Sequence, residues 1–205
     1  DAASGKNIAV AGSVSTYGYF LKDGLENMLP SFNEHLKILS NSGVDLIILE
    51  AMSSQSEIVE ALLKCSKNIN LPIWLSISCV FDKNKEIYLG YDDDVKNDKP
   101  QIYENFKESL YKFKKIHTGP ILVAHSNMSV TDEAIKILKD NYNQIIGAYP
   151  NRGYFEKPKW KFIDNIQPKD YLDKAKSWKN NGAQIIGGCC GIGVEEIKAI
   201  SILKN

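Results

Sequence analysis

The chain has few of the features that commit a protein to a compartment or a partner. It carries no excess charge, since 25 Lys and Arg balance 25 Asp and Glu. That balance removes the electrostatic case for nucleic acid or an anionic membrane. No apolar run is long enough to span a bilayer, and no signal-peptide pattern opens the chain. There are only four cysteines, Cys65, Cys79, Cys189 and Cys190. Their spacing gives neither a secreted disulfide framework nor a Cys-x-x-Cys pair. A reducing, cytoplasmic setting is therefore expected. Histidines number three, His35, His117 and His125. No repeat or low-complexity linker divides the sequence. Its 205 residues, 43% hydrophobic, suit one globular domain over residues 1–205. The first residue is Asp1, not Met, so a processed product or a fragment is expected.

What is present is alternation. Short, nearly continuous apolar runs predict strands at Asn7–Val14, Asp45–Ala51, Pro72–Ser78, Pro120–His125, Gln144–Pro150 and Ala183–Cys189. Runs of this kind suit strands buried on both faces. Helical spacing lies between them. Ile58, Val59, Leu62 and Leu63 form one stripe, with Ser54 and Glu57 as a capping box before it. Val130, Ala134, Ile137 and Leu138 form another, and Ile197, Ile200 and Leu203 suggest a last helix. Strand–helix alternation predicts an α/β fold with a parallel sheet and right-handed crossovers. A polar insertion, Asp82 to Lys99, follows the third strand. Its run Asp92-Asp93-Asp94 reads as a solvated loop, with a magnesium or calcium site as the alternative.

Chemistry-bearing residues gather at the C-terminal ends of these strands. Glu50 ends the second, Ser76 and Ser78 the third, and His125 the fourth. Tyr149 and Asn151 follow the fifth, and Cys189-Cys190 close the sixth. In parallel α/β sheets and barrels, that edge is where ligands bind. Two adjacent thiols are poorly placed for a disulfide with each other and well suited to hold one zinc ion. Gly188 and Gly191 leave room for an open site around them. A third ligand has to come from elsewhere, and His125 and Glu50 are the candidates at strand ends. Glu50 can instead anchor a substrate ammonium group, because a carboxylate there needs a cation or donors. His35 and His117 look structural, and Cys65 and Cys79 look inert.

Ala11-Gly12-Ser13-Val14 with Tyr17-Gly18, Gly43 through Glu50, Pro72-Ile73-Trp74-Leu75-Ser76, Tyr149-Pro150-Asn151-Arg152-Gly153 and Gly187-Gly188-Cys189-Cys190-Gly191 form an ordered set. Together they resemble the homocysteine S-methyltransferase family over essentially the whole chain. The resemblance implies a TIM (β/α)8-type barrel and a zinc site formed by the two adjacent cysteines and a third. It implies homocysteine bound as a thiolate and a methyl donor whose methyl group that sulfur attacks, giving methionine. A small sulfonium such as S-methylmethionine is the expected donor, since no corrinoid- or folate-binding module is visible. Glu50, Ser76, Tyr149 and Asn151 are the implied substrate-binding residues, and Cys189, Cys190 and His125 the implied metal set.

Two departures stand out. The family's third cysteine aligns with His125, in Ile121-Leu122-Val123-Ala124-His125-Ser126. A neutral imidazole in place of a thiolate makes the site one charge more positive. It favours ionisation of a substrate thiol while making that thiolate less nucleophilic. In addition, only about six βα units are visible where a closed barrel has eight. The resemblance implies two further N-terminal units with an Asp-Gly-Gly segment, so an open arc with two exposed edges is expected. A partner or a second copy would complete it. The alternatives to an enzyme are a non-catalytic relative that binds a thiol, metal or partner, and a redox protein using the vicinal cysteines.

Overall fold

A computed structural model describes residues 3–16, 24–91, 101–156, 159–161 and 166–204. Tyr17-Gly18 and Asp92-Asp93-Asp94 lie outside these residues. The elements begin with β1 (Ala11–Ser15), α1 (Gly24–Ser40), β2 (Leu46–Met52), α2 (Ser56–Ser66) and β3 (Ile73–Ile77). Then follow β4 (Cys79–Phe81), β5 (Ile87–Tyr91), β6 (Gln101–Asn105), α3 (Phe106–Phe113), β7 (Ile121–Ala124) and α4 (Met128–Asn141). The last are β8 (Ile146–Tyr149), β9 (Tyr154–Glu156), β10 (Lys159–Lys161), α5 (Pro168–Asn180), β11 (Ala183–Ile186) and α6 (Val194–Ile200).

Among the described residues, six strands make one sheet in the order β1-β2-β3-β7-β8-β11, parallel at every pairing. The order follows the chain and never reverses. That distinguishes a barrel-type arc from a doubly wound sheet, in which the order turns back at a switch point. Among the described residues, β1 and β11 each have one neighbour in this sheet, so the arc has the two expected edges. A groove of 760 Å³ runs beside β11, lined in part by Ile185, Ile197, Ile200 and Leu203.

The helices cover the sheet through the predicted stripes. Val59, Leu62 and Leu63 of α2 and Val130, Ala134 and Leu138 of α4 are buried. Each such Val or Leu contributes roughly 1.5–3 kcal/mol by leaving water. α4 starts where Asn127 accepts the Val130 N–H at 3.1 Å. α5 inserts Trp178 and Tyr171, whose rings meet edge to face at 5.8 Å. The Trp178 indole N–H donates to Asp132 of α4 at 2.7 Å, joining the two helices.

Two expectations need correction. The first strand begins at Ala11, not Asn7, because its partner begins at Leu46, the residue that pairs with Ala11. Ile8 and Val10 lie exposed before it. The Ser54–Glu57 capping box does not form. The Ser54 hydroxyl is buried without a hydrogen-bond partner among the described residues. Glu104 instead takes the start of α2, accepting from Ser56 Oγ at 2.5 Å and from Ser56 N at 3.4 Å. Lys112 closes that cluster with Nζ 3.0 Å from Glu104. A carboxylate at a helix N-terminus also meets the positive end of the helix dipole. Strands also lie in and around the insertion after β3, where the sequence reading placed none. Cys79–Phe81, Ile87–Tyr91 and Gln101–Asn105 pair as an antiparallel three-stranded sheet, with Leu89 fully buried.

Candidate metal and substrate site

β7 ends at Ala124, and His125 turns the chain with φ of +45°. A non-glycine residue in this region costs of order 1–3 kcal/mol, and such strain concentrates at functional sites. The turn is held from several sides. Ser78 Oγ donates to the His125 carbonyl at 2.8 Å. Ser126 Oγ donates to the Ala124 carbonyl and accepts the Cys79 N–H, both at 2.8 Å. Asn151 N donates to the Ser126 carbonyl at 2.9 Å.

The same Tyr149–Gly153 turn holds the cysteine loop. Cys189 N donates to the Pro150 carbonyl at 3.0 Å, and Arg152 N donates to the Cys190 carbonyl at 2.7 Å. The Arg152 guanidinium reaches Glu196 of α6 at 3.3 Å, and Glu196 accepts the Gly193 N–H at 2.9 Å. Two glycines make this loop possible. A Cβ on Gly188 would lie 2.2 Å from Ile192 Cγ2, and Gly191 has φ of +81°.

These loops bring His125, Cys189 and Cys190 together. One ligand atom from each can be chosen so that all lie within 4.8 Å of one another. No disulfide joins the two cysteines, whose Sγ atoms lie 3.8 Å apart. Two sulfurs bound about 2.3 Å from one tetrahedral zinc stand about 3.8 Å apart, so the spacing fits that ion. The electrostatics fit as well. The adjacent Cys190 thiol and burial push the Cys189 thiol well above its ordinary pKa, and a His125 hydrogen bond offsets this only in part. Two neighbouring half-buried thiols ionise together more readily when a cation accompanies them.

A second cluster lies at the ends of β2, β3 and β8. β2 carries one extra residue against β3, between Leu49 and Met52, and Ala51 has φ of +51°. Such a bulge re-aims a side chain. Here it accompanies Glu50, whose carboxylate accepts from Tyr149 Oη at 2.9 and 3.0 Å and from Ser76 Oγ at 3.0 Å. Burial, followed by the Glu50 charge, raises the Tyr149 pKa far above the usual range, so its hydroxyl stays a donor. Glu50 thus belongs to a carboxylate–hydroxyl cluster rather than to the three donors that come together around the thiols. Asn151 lies beside His125, with Nδ2 3.4 Å from its Nδ1.

The remaining candidates sit apart. His117 is buried with Nε2 3.2 Å from the Pro120 carbonyl, and burial lowers its pKa. His35 lies in α1, and Cys65 in α2. Cys79 is buried in β4, where burial raises its thiol pKa strongly. Sequence reasoning assigned no role to Ser126, Arg152 or Glu196, and none to Ser78 beyond its place at a strand end. Their positions beside His125 and after the Tyr-Pro-Asn turn were the available signals.

The sheet order and a site built wholly at strand C-termini define a barrel-type α/β protein. The chain belongs to the homocysteine S-methyltransferase family, whose model matches residues 1–203. It is 28% identical to homocysteine S-methyltransferase 1 of Zea mays, over 96% of this chain and 62% of that protein. It is 27% identical to the selenocysteine methyltransferase of Astragalus bisulcatus, over 94% of this chain and 58% of that protein. It therefore spans about three-fifths of the length of these curated relatives. The fold is shared with the homocysteine methyltransferase MmuM of Escherichia coli in its metallated form. That match has a TM-score of 0.66 at 20% identity and covers 98% of this chain and 62% of that one.

Proposed function

We propose that this chain serves zinc-dependent methyl transfer from a small sulfonium donor, of the S-methylmethionine kind, to the thiol of homocysteine, giving methionine. The observation that carries the reading is the convergence of the Cys189, Cys190 and His125 donor atoms within 4.8 Å at the strand ends. Zinc held by these three would supply the positive charge that lets a substrate thiol ionise near neutral pH. The chain's other residues bind and orient. Glu50 receives the substrate ammonium group through lone pairs that Tyr149 and Ser76 leave open. The two hydroxyls fix the carboxylate so that this charge-assisted contact is directional. In the transfer, the substrate sulfur forms a bond to the methyl carbon as the donor's sulfur–methyl bond breaks. The released electron pair neutralises the sulfonium. Catalysis of this kind rests on holding two reactants in line.

A reducing, cytoplasmic setting belongs to the same reading, because it keeps the vicinal thiols available. So does a partner or second copy along the outer edges of β1 and β11. The test is methionine formation, donor by donor, by the complete polypeptide with its zinc content measured in parallel. One zinc per chain and methionine from a sulfonium donor are expected. Failure of the zinc-loaded protein with every donor would sink the proposal. His125, standing where the resemblance leads to a thiolate, favours a second reading as a thiol- or metal-binding relative without catalysis. That outcome would support it.

A further inference from the structure

Asn151 is more than nine-tenths buried, and its Oδ1 has no hydrogen-bond partner among the described residues. The other end of the same carboxamide, Nδ2, lies 3.4 Å from His125 Nδ1. An imidazole can give a metal only a nitrogen that bears no proton, and the neutral ring keeps its proton on the other nitrogen. With Nδ1 facing Asn151, Nε2 can ligate only if the proton sits on Nδ1. That proton needs an acceptor, and an amide nitrogen is not one.

We propose that the Asn151 carboxamide sets the tautomer of His125 for metal binding. Turned by a half-rotation, its Oδ1 accepts the Nδ1 proton and leaves the Nε2 lone pair for the ion. The turn breaks no other hydrogen bond, because Oδ1 holds none. Which amide atom faces the ring is fixed by its partner's protonation rather than by shape, since the two ends are nearly the same size. The backbone supports this role. Asn151 N is bonded to the Ser126 carbonyl, so the carboxamide rides on the same turn that fixes the imidazole. Asn151 is thus a positioning residue for the metal ligand, in addition to any contact with substrate. The inference rests on His125 being a ligand, as in the proposed function.

The experiment compares Asn151→Leu, Asn151→Asp and His125→Ala by zinc titration against a chromophoric chelator. Each variant is first checked for a native circular dichroism spectrum. Loss of an oriented histidine's partner lowers metal affinity about 10–100-fold, and Asn151→Leu should fall in that range. Asn151→Asp retains an acceptor and should bind zinc at least as tightly as the native protein. Nitrogen-15 spectra of the zinc-loaded native protein should show His125 protonated at Nδ1. Unchanged zinc affinity in Asn151→Leu, with His125→Ala impaired, overturns the inference. Equal weakening by Leu and Asp also overturns it. Retention of zinc by His125→Ala overturns the underlying ligand assignment instead.

Discussion

The carboxylate of Glu50 and the thiols of Cys189 and Cys190 stand at the ends of strands in one sheet, but their surroundings complete them to different degrees. Glu50 is met by two hydroxyl donors, from Tyr149 and Ser76. It is a finished hydrogen-bonded group with capacity to spare. The thiols meet each other and an imidazole; the Cys190 thiol and burial raise the Cys189 pKa, and the imidazole offsets this only in part. The scaffold fixes their backbone closely, through Pro150 and Arg152, and leaves their chemistry incomplete. On the proposed function, one cluster would receive an organic cation, while the other would become stable as an anion around an inorganic one.

The sharpest way to break this comparison is to remove one sulfur. Cys189→Ser should reduce bound zinc from about one equivalent to less than about a tenth at submicromolar free metal, read by elemental analysis. Glu50→Gln should leave zinc content unchanged while weakening homocysteine binding. A lost charge-assisted contact of about 1.5–3 kcal/mol corresponds to roughly 10–100-fold in affinity, measured by calorimetry on the zinc-loaded protein. If the two variants alter the same property, the two clusters are one site. Ser78→Ala tests the support beneath His125. Losing its bond to the His125 carbonyl should cost about 1 kcal/mol, or roughly 2–4 °C in melting temperature.

The smallest effect concerns His117, which lies outside both clusters. Its folded pKa lies below the ordinary value, so the unfolded chain binds its proton first as pH falls. Above the unfolded pKa both states are neutral, and the residue adds no pH dependence. Below it, folding stability declines until the folded pKa is reached. His117→Gln should therefore flatten the loss of melting temperature between about pH 7 and pH 5 relative to the native protein. An unchanged slope would contradict the buried-neutral assignment.

Much of the site was legible because it lies close to strand ends that the sequence marks. The glycine-flanked cysteine pair and the apolar runs placed Cys189, Cys190, His125 and Glu50 at one edge of the sheet. Their division into a metal set and a carboxylate cluster was implied by the resemblance but not by position along the strands, which left Glu50 open as a third ligand, because the division depends on a bulge at Ala51 and a left-handed turn at His125. Neither Ala nor His advertises a positive φ as glycine does. The strands β4 to β6 were hidden by the polar residues between them, although Ile87 and Leu89 alternate as a half-buried strand should. The Ser54–Glu57 pattern misled for a related reason. A cap read from local sequence competes with distant donors and acceptors, and Glu104, 48 residues beyond Ser56, prevailed.

Glu196 has a further consequence. It bonds at once to Gly193 at the start of α6 and to Arg152, whose own N–H holds the Cys190 carbonyl. The seven-residue helix and the thiol loop are therefore tied to each other through Glu196 and Arg152. Amide hydrogens of α6 should then exchange with solvent more slowly once the thiols are engaged. Helix α6 becomes a reporter of the site's occupancy, readable without substrate or turnover.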